Sequence, residues 1–151
     1  MSLSCMWFSK NAPQPKERFF AWSDAEHSVG VAIFDAEHKR LTDLMGKVHT
    51  TLLEEHDRVR ARELMEQLIQ ETRNHFIHEE GALAAAAYPD LEAHASEHAA
   101  LLTQAQDLLR QYRAGGLSAL AFPIFLKNWL IPHIQGFDRK YASTLRRQGL
   151  R

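Results

Sequence analysis

The chain of 151 residues reads as an all-α protein, an up-down-up-down four-helix bundle preceded by an extended N-terminal arm. Two observations predict this. Apolar residues recur at helical spacing through four stretches, so each can bury one stripe against its neighbours. The stretches are joined by short segments that carry capping or helix-stopping residues, and short connections make consecutive helices antiparallel. A hydrophobic content of 45% is enough for one domain with a real core.

Residues 1–21 form the arm, which holds Pro13, Pro15 and Trp7. Extended character continues past Trp22 and Gly30 to the apolar stretch Val31–Phe34. Asp35 then suits an N-cap, because its carboxylate can accept from free amides of a first turn. The first helix is expected over Ala36–Glu55, with Leu41, Leu44, Met45, Val48 and Leu52 on one stripe. Asp57 caps a second helix, Arg58 to about Ala87, whose stripe is Val59, Leu64, Leu68, Phe76 and Leu83. Tyr88-Pro89-Asp90 ends it, since proline disfavours helix at the residue before it. The third helix covers Leu91–Arg113 and stops at Gly115-Gly116. The fourth covers Leu117–Leu145.

Composition excludes several functions. Lys and Arg total 18 against 19 for Asp and Glu, so nothing favours nucleic acid or an anionic membrane. The basic stretch Arg139–Arg151 reads as a solvated helix end. A lone cysteine, Cys5, rules out an internal disulfide and any thiolate metal site. No apolar run approaches the roughly 20 residues of a membrane span, and Met1–Lys16 carries no secretory signal. A cytoplasmic, soluble protein is expected.

The chemistry lies in the histidines. His94 and His98 are four residues apart, as are His75 and Glu79, so each pair points from one helical face. His38 falls near the start of the first helix and His133 late in the fourth. In an antiparallel bundle the starts of odd helices and the ends of even ones share one end. All these groups therefore fall in one layer, with Asp138 just beyond. Imidazole and carboxylate without thiolate suit non-haem iron or manganese better than structural zinc. Among the other histidines, His49, His56 and His78 read as surface residues and His27 is left undecided. Asp138 fits periodicity least: five residues from His133 is roughly 140° around a regular helix. Only a distortion such as a π-bulge, or a family pattern, would pair the two. Pro132 removes a helical hydrogen bond beside His133.

The segments VGVAIFDAEHKRL, NHFIHEE, YPDLEAHASEH and NWLIPHIQGFD resemble the bacterial hemerythrins from about Trp22 to Tyr141. The resemblance implies a hemerythrin-like domain over residues 22–151 with an oxo- or hydroxo-bridged pair of iron ions that binds O2 reversibly. It implies that His38 and His75 hold one ion, that His94, His98 and His133 hold the other, and that Glu79 and Asp138 bridge them. If each ion takes about six ligands, these groups and one bridging oxygen leave a single open position, on the ion of His38 and His75. That suits a diatomic molecule, O2 foremost, with nitric oxide or a small anion such as azide as further ligands. The same resemblance puts Leu41, Phe76, Trp129, Leu130 and Ile134 around that position. A proline at position 132 is no part of the pattern, and residues 1–21 lie outside it.

The rival reading is a di-iron oxidase or peroxidase of the ferritin-like kind, which draws on Glu-x-x-His pairs; this chain contains none. Histidine dominance favours binding over turnover. Sensing of nitric oxide or redox state would use the same ions and need a partner surface. A purely structural bundle would leave seven buried polar groups without purpose.

Overall fold

The computed structural model describes residues 18–116 and 118–151; the rest of the expected arm, with Cys5, lies outside them. The elements are a short α1 (Asp24–His27), α2 (Ala32–Thr50), α3 (Arg58–Ala85), α4 (Leu91–Arg113), α5 (Ala121–His133) and α6 (Arg139–Arg147). Wide π turns, Thr51–Glu55 and Ile134–Asp138, extend α2 and join α5 to α6. The expected fourth helix is thus two helices on either side of a π turn. α2 packs on α3 and α5, and α4 packs on the same two, which closes the bundle.

Local chemistry explains most of the boundaries. Asp57 caps α3, its carboxylate accepting from the Arg60 amide at 2.9 Å. α4 ends as expected: Gly115 takes φ +74°, and the Gly116 amide reaches back to the Gln111 carbonyl at 3.0 Å. α3 ends the same way without a glycine. Ala87 sits at φ 52° while the Tyr88 amide bonds the Leu83 carbonyl at 3.0 Å, so an alanine occupies the left-handed position.

Three expectations need correction. The stretch from Trp22 to Phe34 is not extended throughout, since α1 and the first residues of α2 lie within it. Asp35 does not cap α2, which starts at Ala32. Instead its carboxylate reaches back, accepting from the Val29 amide at 2.8 Å and the Ser28 hydroxyl at 2.6 Å. That ties the α1–α2 turn onto α2. Val59 is 60% exposed, because the first turn of α3 packs through Arg58, which lies over the Tyr112 ring, and through buried Ala61, leaving Val59 on the outer face; Leu64, Leu68, Phe76 and Leu83 are core. No helix among the described residues is long and apolar enough to cross a membrane.

Candidate metal centre

The bundle brings all seven expected groups together. α2 supplies His38, α3 supplies His75 and Glu79, α4 supplies His94 and His98, and α5 supplies His133. The π turn supplies Asp138. None of them is more than 4% exposed. The π turn solves the spacing problem: its wider winding returns a residue five positions on to nearly the same face. His133 Nε2 and Asp138 Oδ1 are accordingly 3.0 Å apart.

Donor atoms form two groups. Glu79, His94, His98, His133 and Asp138 make one, and His38, His75 and Glu79 the other, each with its atoms within 4.8 Å of one another. Glu79 belongs to both. Its Oε2 lies 3.2 Å from His94 Nε2, 3.3 Å from His98 Nε2 and 3.9 Å from His75 Nε2. Asp138 also spans the groups, with Oδ1 at 3.3 Å from His94 Nε2 and Oδ2 at 3.2 Å from His38 Nε2.

Only some of these atoms satisfy one another, as His94 Nε2 does Glu79 Oε2. Both nitrogens of His38, Nε2 of His75, Nδ1 of His133 and both oxygens of Asp138 are buried with no hydrogen-bond partner. His98 Nε2 and His133 Nε2 are only 3.0 Å apart, and two imidazole nitrogens at that distance share at most one proton. Two buried carboxylates without a compensating cation would be costly. The donors left without partners on His38, His75 and Asp138 are ones that a cation in the cluster would satisfy.

Around this layer lies a set of supports that the sequence reading missed. His75 Nδ1 donates to Glu37 Oε2 at 2.7 Å, and His98 Nδ1 donates to Glu80 Oε1 at 2.8 Å. Each bond fixes the tautomer that turns Nε2 inward with its lone pair free. The Tyr141 hydroxyl donates to Glu79 Oε1. Phe76 stacks on His98 at 3.6 Å and 4°, and His133 is flanked by Trp129 at 4.3 Å and by Phe137 at 5.2 Å. Glu37 and Glu80 are next to the expected ligands His38 and Glu79 in sequence, and Tyr141 is one turn beyond Asp138. That adjacency was the available signal, but charged residues on a helix ordinarily read as solvated.

Electrostatics follow the same lines. Burial pushes the Glu79 carboxyl up, but hydrogen bonds from His94 and His98, with the charges of His75 and His38, hold it well below its usual range. Burial and the Glu79 charge raise Asp138, and the facing imidazoles of His133 and His38 win, leaving it lowered. Burial would lower His94, yet Glu79 and Asp138 lift it above its ordinary value. Burial and the charges of Asp138 and Glu79 push Tyr141 well up, so it stays a donor.

Of the five expected pocket walls, Leu41, Phe76, Leu130 and Ile134 are buried and Trp129 is half-buried. Leu41 lines a cavity of about 220 Å³ that reaches His75, and Trp129 lines one of about 210 Å³ that reaches His133. His49 stacks on Phe19. His56 is exposed. His27 is buried, its Nδ1 3.0 Å from the Ser23 carbonyl. His78 is half exposed but not free, since it donates to Glu37 Oε1 at 2.8 Å.

Comparison with known proteins points the same way. Residues 29–145 match the hemerythrin HHE cation binding domain family. Bacteriohemerythrin of Methylococcus capsulatus is 30% identical over 125 residues, 82% of this chain and 95% of that one. Bacteriohemerythrin of Ralstonia nicotianae is 31% identical over 130 residues, 85% of this chain and 90% of that one. A crystal structure of wild-type hemerythrin superposes with a TM-score of 0.78 at 29% identity, covering 84% of this chain and 98% of that one. By fold, by a buried cluster able to hold a cation and by sequence, this chain belongs to the hemerythrin family.

Proposed function

We propose that the chain holds two iron ions in the two donor groups and binds O2 reversibly, as a carrier, store or sensor rather than an enzyme. The observation that carries this reading is the unsatisfied convergence of imidazole nitrogens and carboxylate oxygens on two adjacent points joined by Glu79. His38 and His75 would hold one ion and His94, His98 and His133 the other, with Glu79 and Asp138 between them. When bound, such a pair supplies redox electrons and a free coordination position for a diatomic ligand. With fewer donors there, that position would fall on the side of His38 and His75.

The residues around the ions do the rest. Glu37 and Glu80 hold two imidazoles in the tautomer that binds metal. Tyr141 steadies the shared carboxylate by donating to Glu79. Leu41, Phe76, Leu130 and Ile134 exclude bulk water from the layer, so protons that would discharge the bound ligand reach it slowly. Pro132 has no amide to give to the Asn128 carbonyl, and both residues line the cavity at His133.

Iron content and the visible spectrum, taken anaerobically, in air and after argon purging, test the proposal. Two irons per chain and a band that appears in air and fades under argon are expected. Two irons that oxidise without a reversible band would favour redox turnover, and a chain without iron would overturn the reading.

A further inference from the structure

A centre whose side chains are at most 4% exposed must still be filled by ions that arrive hydrated. Surface cavities reach it at two ligands, and they differ in chemistry. The one at His133 is walled mainly by Trp129, Pro132 and Phe137, with Glu97 and Asn128 its only polar members besides His133, so it offers an ion one carboxylate and no second imidazole. The one at His75 is lined by Glu37, Arg40, Glu71, Asn74, His75 and His78, besides Leu41. Glu71, Asn74, His75 and His78 stand at i, i+3, i+4 and i+7 on α3, so they form one polar stripe running to the buried imidazole. Glu37 faces that stripe from α2.

We propose that this cavity is a loading port, in which His78 and Glu37, assisted by Glu71, first capture a divalent transition-metal ion and pass it to the buried centre. The inference rests on the metal centre proposed above. His78 Nδ1 and Glu37 Oε1 are 2.8 Å apart; two donors on one ion at bonds of about 2.1 Å and near-right angles lie about 3 Å apart. The pair is accessible, His78 at 47% and Glu37 at 13% side-chain exposure. Charge favours a cation, since Glu37 and Glu71 outnumber Arg40, and Glu71 makes no ion pair or hydrogen bond among the described residues. Delivery is direct: the other oxygen of Glu37 holds His75 Nδ1 at 2.7 Å, so an ion on Glu37 is one side chain from a ligand.

The test loads metal-free protein with Co2+ alone, followed by stopped-flow visible absorption, in the parent chain and in a His78→Ala/Glu71→Gln variant. Chelator competition then measures the final affinity. The variant should take up two ions with parental affinity but about tenfold more slowly, the low end of what charged clefts contribute to cation capture. A Co2+-loaded parent should bind a further, weaker Zn2+ that shields His78 from diethyl pyrocarbonate. Parental loading rates in the variant overturn the port, as does a His78 that Zn2+ fails to shield. Weaker final binding would make His78 a support for Glu37 and also overturn it. A parent that takes up no ion removes the centre and the port together.

Discussion

Glu80 offers the sharpest separation of metal support from ordinary stability. Its carboxylate accepts from His98 Nδ1 at 2.8 Å and is 34% exposed, while His98 itself is 1% exposed and stacked on Phe76. Replacing Glu80 with alanine leaves the His98 ring in place through its stacking but frees its tautomer and lowers its basicity. Loss of a carboxylate behind a metal-bound imidazole typically costs about 10- to 100-fold in affinity. That is about 1.4–2.7 kcal/mol. Glu80→Gln keeps a neutral acceptor and should lie near the lower figure. In the ion-free chain the same substitution should matter little, because a partly exposed pair is screened and contributes about 0–1 kcal/mol. Chelator competition with Co2+ measures the first quantity, and urea unfolding without metal the second. Two outcomes refute the reasoning: Glu80→Ala binding both ions as tightly as the parent, or losing its stability equally with and without metal. The second would make Glu80 a structural residue.

Tyr141→Phe removes the donor to Glu79 while keeping the ring, so no cavity forms. It should cost about 1.5–3 kcal/mol, the worth of a hydrogen bond to a charged group, read by urea unfolding of the ion-free protein; an unchanged midpoint would show that Glu79 does not depend on it. Stability should respond to pH in opposite senses with and without metal. In the ion-free chain His94 is raised above its ordinary 6.5, so its contribution is full below that value and is lost as pH rises through the raised one. Glu79 and Asp138 are lowered, so theirs is present above the ordinary carboxylate values and lost as pH falls through the lowered ones. Ion-free protein should therefore weaken from pH 6 to pH 8, and loaded protein should strengthen, because bound ions require neutral imidazoles. Thermal unfolding across that window decides the point, and parallel curves would argue against metal on the histidines. Ala87→Gly, at an exposed left-handed position, should stabilise by about 0.5 kcal/mol through relief of backbone strain, and a lower denaturation midpoint would contradict this.

The four-helix plan was legible because local and tertiary signals agreed. Asp57 starts α3 with its side-chain carboxylate and Gly115 stops α4 with its backbone conformation, both chemistry that the residue type specifies, and α4 has the expected limits. Asp35 was ambiguous for a physical reason. A carboxylate near a helix start can serve the turn ahead of it or the strap behind it, and the choice depends on where Ser28 and Val29 lie in space. Val59 lies five residues before Leu64, roughly 140° around a regular helix, so it falls off the face that Ala61, Leu64, Met65 and Leu68 bury.

At the centre, the legible part was what spacing carries: His75 with Glu79, His94 with His98, and the shared end of alternate helices. Asp138 was different. A π turn costs regular hydrogen bonding and is kept where something requires it, and here it brings Asp138 Oδ1 to His133 and Oδ2 to His38. Periodicity assumes a uniform helix, so it misjudges the residue that made the helix depart from uniformity. Glu37 and Glu80 escaped notice for the complementary reason. Their spacing is unremarkable, and their role appears only when a helix from elsewhere in the chain presents an imidazole Nδ1 to them. Residues that bind a cation can be found by their chemistry and interval, whereas residues that hold those ligands in place are defined by the packing itself.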